Sequence, residues 1–324
     1  MNRRHFVRTL GALAGTAAAA PLLRSATDPM SAARPLRIAH LTDTHVTDNK
    51  NCAAGLERML AALAALTPVA DLVIHTGDVI FDSWSQRDAA KVAAQWSVWR
   101  AAAAKLPAPL RACLGNHDIW IGETREHPKY RYQLRAMDEL HLERPWYAFE
   151  QGGWRFLMLE STRPLVDEKG GTSYAARLDQ EQLEWFLGEV ARTPATQPLV
   201  VCSHIPILSA AVHAWGQFRE KVQDFPAPGR HGSAWLSGGA LMHADSKELQ
   251  TALRKRGGVT LCISGHLHLQ DHVVYDGVHY LGNGAVSADW WKNPTFHQTG
   301  AGFAVLDLHA DGTWSRRYQD CAWS

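Results

Sequence analysis

Hydrophobic positions along this chain fall into two alternating kinds of segment. Short unbroken apolar runs, such as Leu36–Leu41 and Leu72–His75, have the length and content of buried strands. Longer stretches place apolar residues at helical spacing. Within 53–66 these are Leu56, Met59, Leu60, Leu63 and Leu66, with Pro68 as the stop. Val92, Trp96 and Trp99 give residues 87–105 a similar face, ahead of a third strand at 110–114. The order from about 35 to 118 is βαβαβ, which predicts a layered α/β domain.

The second half carries more strand. Runs at 147–149 and 154–159 flank Gly152-Gly153, and runs at 273–275 and 278–281 flank Asp276-Gly277. A third pair, 303–308 and 313–318, flanks Asp311-Gly312, and each pair reads as a hairpin. Two more apolar runs, 199–202 and 259–263, predict strands, while 178–190 and 246–256 predict helices. From about 209 to 245 there is little periodicity, which predicts an irregular insertion or lid.

Composition narrows the class. With 324 residues, 46% of them hydrophobic, the chain can bury a large core, which excludes disorder and collagen-like or disulfide-scaffold types. Its formal charge of +1 is uneven, because the first 26 residues hold Arg3, Arg4, Arg8 and Arg24 and no acid. Without them 29 basic residues face 32 acidic ones, a charge of −3, so no general attraction to nucleic acid is expected. The charged start precedes 15 uncharged residues, Thr9 to Leu23, too few and too weakly apolar for a good membrane span. Residues 1–26 fit a cleavable export signal, and the run Arg3-Arg4-His5-Phe6 looks like the twin-arginine type. The expectation is an exported, periplasmic protein with one domain over 27–324 and no stable membrane insertion after cleavage. Five cysteines with no CxxC spacing argue against a zinc–thiolate site and against a disulfide framework.

Candidate chemistry gathers at the strand ends. RIAHL leads to Asp43-Thr44-His45, LVIH to Gly77-Asp78, and RACL to Gly115-Asn116-His117-Asp118. LVVC leads to Ser203-His204, and TLCI to Gly265-His266-Leu267-His268. In an α/β sheet, ligands bind beyond the carboxyl ends of the strands, so these five endings converge in one crevice. Each motif alone is weak; their order, each behind its own strand, is specific. The donors are oxygen and imidazole nitrogen, which suits Mn, Fe, Zn or Co better than copper(I) or an iron–sulfur cluster. Gly77, Gly115 and Gly265 leave room for close backbone approach.

From about Leu36 to His268 the sequence resembles the calcineurin-like metallophosphoesterases. The resemblance implies a four-layer αββα sandwich, two mixed sheets flanked by helices, and a centre of two divalent or trivalent metal ions. One ion would be held by Asp43, His45, Asp78 and His268, the other by Asp78, Asn116, His204 and His266. Asp78 would bridge them beside an attacking hydroxide. Asn116 and His117 would contact a small phosphate-ester substrate, with His117 catalytic and not a ligand. Phe81 stands where purple acid phosphatases carry Tyr and protein Ser/Thr phosphatases carry Asp. The DTH motif, with His45, is nearest the cyclic-nucleotide and glycerophosphodiester phosphodiesterase branch. A diester substrate is therefore expected first, with a monoester, a nuclease substrate or a non-catalytic scaffold as alternatives.

Other residues have two readings. Trp290 and Trp291 either form an aromatic wall for substrate or pack a loop onto the sandwich. Asp118 either orients His117 or closes the turn after the strand. His213, His231 and His243 lie in the irregular stretch and are assigned no role.

Overall fold

The computed structural model describes residues 34–166, 172–215 and 241–323. The expected signal at 1–26, His231 and most of the irregular 209–245 stretch lie outside the described residues. Strands β1 (Leu36–Leu41), β2 (Leu72–His75) and β3 (Leu110–Ala112) run parallel, with helices α1 (Lys50–Ala64) and α2 (Ala89–Ala103) as crossovers. Helix α1 starts three residues before the expected segment at 53–66, because the Asn49 side chain caps it by accepting the Asn51 N–H. The short helix α3 (Leu134–Glu139) precedes β4 (Tyr147–Gln151) and β5 (Trp154–Met158). A hairpin of β6 (Thr162–Val166) and β7 (Thr172–Ala176) leads to α4 (Gln180–Arg192) and β8 (Leu199–Cys202). Helix α5 (Ser246–Arg256), β9 (Thr260–Ser264), β10 (Asp271–Tyr275) and β11 (Val278–Gly282) follow. The two-residue strands β12 (Thr295–Phe296) and β13 (Thr299–Gly300) precede β14 (Gly302–Leu308) and β15 (Trp314–Asp320).

Two sheets result. The first has the order β15-β14-β1-β2-β3, with the last hairpin added antiparallel to β1; the second has the order β10-β11-β9-β8-β5-β4. Strand alternation assigns each face. In β1, Leu36 and Ile38 point at the second sheet, meeting Phe156, Met158, Val200 and Ile263. Ala39 and Leu41 point the other way, onto Leu56, Met59, Trp96 and Trp99 of α1 and α2. The second sheet does the same with Leu157, Val201 and Cys262 against α4 and α5. Three apolar layers thus separate four structural ones, which is the αββα sandwich. All five cysteines are buried and free.

Helix α3 and the short strands β12 and β13 were not expected from the sequence, and further differences fall at β6–β7 and β3. The β6–β7 hairpin has no apolar alternation, since Pro164 interrupts it and Leu165 and Val166 are exposed. Strand β3 is assigned shorter than the apolar run: Cys113 still donates its N–H to the His75 carbonyl at 2.9 Å, and buried Leu114 leads into the Gly115 turn. Among the described residues, no helix is long and apolar enough to cross a membrane.

Candidate metal centre

The five predicted strand ends do meet. β1, β2 and β3 of one sheet and β8 and β9 of the other deliver Asp43, His45, Asp78, Asn116, His117, His204, His266 and His268 to one crevice. The turns that do this are strained. Asp43, His45, Asp78, His266 and His268 have φ of 51°, 42°, 53°, 69° and 58°, a region side chains rarely adopt. Such strain persists only where surroundings over-determine it. Here the backbone N–H groups of Asp43 and His45 are held at 3.0 Å by the Gly77 and Asp78 carbonyls. Close approach needs glycine: a Cβ on Gly115 would lie 2.2 Å from Asp78 Oδ1, and one on Gly265 2.2 Å from Asp43 Oδ2.

Two groups of donors form around Asp78. In the first, His268 Nε2 lies 3.3 Å from Asp43 Oδ1 and 3.1 Å from His45 Nε2. In the second, His204 Nε2 lies 3.2 Å from Asp78 Oδ2 and 3.1 Å from both Asn116 Oδ1 and His266 Nδ1. Asp78 Oδ2 is also 3.6 Å from His45 Nε2, so one carboxylate touches both groups. His117 stands apart at 4.0 Å from that oxygen and keeps 29% of its side chain exposed, whereas His45 and His204 are fully buried.

Hydrogen bonds behind the rings set the tautomers. His268 donates Nδ1–H to the Ala288 carbonyl at 2.5 Å, and His204 donates Nδ1–H to the Thr76 carbonyl at 2.8 Å. Carbonyls only accept, so in the neutral rings both Nε2 atoms turn a lone pair toward the crevice. Bare nitrogen then faces carboxylate oxygen, an arrangement that repels unless a proton or cation lies between. Asp43 Oδ1 is buried with no hydrogen-bond partner, as are His45 Nδ1 and His266 Nε2. Three overlapping groups of three His and Asp donors, each within 4.8 Å of one another, are Asp43-His45-His268, Asp78-His204-His266 and His45-Asp78-His117, and the first two fit divalent cations and the N/O chemistry expected of them.

Electrostatics agree. Burial by itself opposes ionisation of Asp78, yet neighbouring His204 and His117 hold its carboxyl well below the usual range. Burial likewise works against a charge on His204, but Asp78 overrides it and raises that ring to about 9. His266 goes the other way, to about 3, through burial and the nearby His204 charge.

The ambiguous residues separate. Asp118 closes the turn: its oxygens accept the N–H groups of Val79, Ile80 and Gly115 at 2.8, 3.2 and 2.9 Å. Trp290 is half-buried, with its ring centroid 4.3 Å from that of His268. Trp291 as a substrate wall needs correction. It is 0% exposed, and its indole N–H donates to the His45 carbonyl at 2.9 Å, so it packs the loop beneath the site. His243 is buried between Ser203 Oγ and Asp245 Oδ1, at 2.9 and 3.0 Å.

Sequence reasoning missed the supporting polar residues. His75 Nε2 meets Thr44 Oγ1 at 3.1 Å, His40 Nε2 meets Thr76 Oγ1 at 2.8 Å, and Asn283 reaches His40 Nδ1. The available signal was a histidine inside each of two apolar strands.

The donor set and the sandwich define a metal-dependent phosphoric ester hydrolase, and the comparisons agree. Residues 36–270 match the profile of the calcineurin-like phosphoesterase family, and the chain belongs to it. It is 25% identical over 311 residues to the 3',5'-cyclic-nucleotide phosphodiesterase alr5338 of Nostoc, covering 90% of this chain and 94% of that one. It is 26% identical over 295 residues to the 3',5'-cyclic adenosine monophosphate phosphodiesterase CpdA of Escherichia coli, covering 88% and 90%. A dimetal phosphatase structure from Danio rerio superposes with a TM-score of 0.62 at 14% identity, covering 90% of this chain and all 100% of that one. That likeness concerns the fold.

Proposed function

We propose that this chain is a dinuclear phosphodiesterase. In this reading Asp43, His45, Asp78 and His268 hold one ion, and Asp78, Asn116, His204 and His266 hold the other. The supporting observation is the shared carboxylate: Asp78 Oδ2 lies 3.2 Å from His204 Nε2 and 3.6 Å from His45 Nε2. A pair of such cations, of Fe, Mn, Zn or Co, would activate water and offset phosphoryl charge when bound.

The protein's own groups do the rest. Asp43 and Asp78 concentrate negative charge in a buried crevice, and the Thr76 and Ala288 carbonyls hold the imidazoles in their donor tautomers. His117, the exposed member, faces incoming ester and is placed to stabilise phosphoryl oxygens or to protonate the leaving oxygen from Nε2. Asn116, half-buried beside it, offers an amide to the same oxygens.

Small diesters are the proposed substrates, cyclic nucleotides first, because both phosphodiesterase relatives are named for them. Metal analysis of purified protein, with rates on bis(p-nitrophenyl) phosphate and p-nitrophenyl phosphate from the same sample, tests the reading. About two metal equivalents and faster diester cleavage support it. Faster monoester cleavage makes it a phosphomonoesterase, and protein inert with every metal supplied makes it a scaffold. The charge of −3 after residue 26 weighs against a nuclease, which draws affinity from basic residues.

Export rests on residues 1–26 and is likewise a proposal. Replacing Arg3 and Arg4 by Lys should retain the chain in the cytoplasm; unchanged periplasmic recovery would remove the twin-arginine reading.

A further inference from the structure

Beyond the metal centre, the same edge of the second sheet carries an unused acid. β5 runs out into Glu160 and Ser161, and Ser161 Oγ accepts the backbone N–H of Ile205, next to His204, at 3.0 Å. Glu160 lines a separate cavity of about 580 Å³, none of whose walls comes from the eight residues of the metal centre.

Glu160 is only 5% exposed. Its backbone is held from both sides by Gln182, whose amide accepts its N–H and donates to its carbonyl, each at 2.9 Å. The carboxyl is far less well served. Oε1 has one partner, Gln133 Nε2, at 3.4 Å, and Oε2 has no hydrogen-bond partner among the described residues. The carboxyl of so buried a residue is normally paired, and Glu160 lines the cavity, so a donating ligand there would complete its bonding.

The lining also carries the cations Lys129, Arg131 and Arg163 and the acids Asp179 and Glu181. Lys129 is taken up by Glu181, and Arg131 by Glu126 at 3.1 Å. Arg163, exposed on β6, has no ion-pair partner among the described residues, and its charge acts on Glu160. Tyr132 also lines the cavity, with the Arg131 guanidinium over its ring at 5.5 Å.

We propose that this cavity binds a small zwitterion, its amine on Glu160 Oε2 and its carboxylate or phosphate on Arg163. Burial keeps the carboxyl of the empty cavity protonated up to about pH 8, so an ammonium binds as that proton leaves, and an anion supplies the partner that Arg163 lacks. A purely apolar ligand would meet neither need, and a dicarboxylate would set one negative group against Glu160.

Titration calorimetry of the metal-loaded full chain at about pH 8.5, where Glu160 is largely ionised, tests this with glycine, β-alanine, γ-aminobutyrate and phosphoethanolamine. These probes vary the amine–anion spacing and the nature of the anion. At least one should bind saturably, one per chain, and about tenfold or more weaker to Arg163→Gln and to Glu160→Gln. Hydrolysis of bis(p-nitrophenyl) phosphate by both variants should stay within about twofold of the parent. Arg163 is exposed, so its variant remains a fair test even if Glu160→Gln folds poorly. Unchanged binding to Asp78→Asn supports a site away from the metals, whereas loss there assigns the ligand to the metal centre and overturns the proposal. It is equally overturned if no probe saturates below about 10 mM, or if binding ignores both substitutions.

Discussion

His117 donates its Nδ1–H to the backbone carbonyl of Phe81, which leaves Nε2 facing Asp78 Oδ2 at 4.0 Å. A carbonyl only accepts, so the contact fixes which nitrogen carries the first proton. In the neutral ring Nε2 is bare, and it becomes a donor toward the crevice only when the ring takes a second proton. Position 81 matters here through its backbone.

Replacing His117 by Ala should therefore separate chemistry from metal binding. Turnover should fall ~10²–10⁴-fold, the usual share of a general acid–base group. Metal content by elemental analysis should stay near that of the parent. A variant that loses an ion would show His117 to be a ligand.

Asp78→Asn should behave differently, since Oδ2 touches His45, His204 and His117. Metal occupancy and activity should fall together, by more than the ~10–100-fold typical of groups that merely orient ligands. Full activity with two ions bound would eliminate the shared-carboxylate arrangement.

The two neighbouring tryptophans should part company. A Cβ on Gly55 would lie 2.1 Å from the Trp291 ring, so that indole fills the space above α1. Trp291→Ala should cost ~3–5 kcal/mol in denaturant unfolding, as for other buried large-to-small changes. Trp290→Ala should leave the unfolding midpoint almost unchanged and raise KM, because its ring borders His268 at the crevice. The reverse pattern would mean that Trp290 is the packing residue.

Glu160 gives a pH signature in stability. Burial pushes its carboxyl from 4.5 up to about 8 in the folded chain. Its contribution is thus fully present below 4.5 and is lost as pH rises toward 8, where the unfolded chain ionises first. His40 and His75, lowered by burial from 6.5 to about 3 and about 4, act on the acid side, losing stability as pH falls below 6.5. Unfolding midpoints of the parent and of Glu160→Gln, measured from pH 5 to about 9, isolate the first effect. The difference should slope by up to ~1.4 kcal/mol per pH unit below pH 8 and then level off. Parallel curves would show that Glu160 is ionised at neutral pH.

Much of the architecture was legible because burial leaves a periodic trace. Leu36–Leu41 and Leu199–Cys202 are buried along almost their whole length, and unbroken apolar runs report that directly. The hairpin at Asp276-Gly277 was legible for a different reason. Both residues take positive φ, 51° and 76°, a demand that restricts residue type. The β6–β7 hairpin was not legible, because its exposed strands need no hydrophobic alternation.

Local sequence thus determined the strands of the two large sheets, most of the helices and the residue types waiting at the strand ends, since those depend on spacing and conformational preference within a few positions. Tertiary structure decided what no short window contains. It placed Asp78 between His45 and His204, which lie 33 and 126 positions away along the chain. It took Asp118 for the backbone of the 78–80 turn and buried Trp291 where Trp290 stayed at the rim. It also left Glu160, a buried acid, lining a cavity. Hydrogen bonds and electrostatic fields act through space, so which donor meets which acceptor is settled only when the sheets pack.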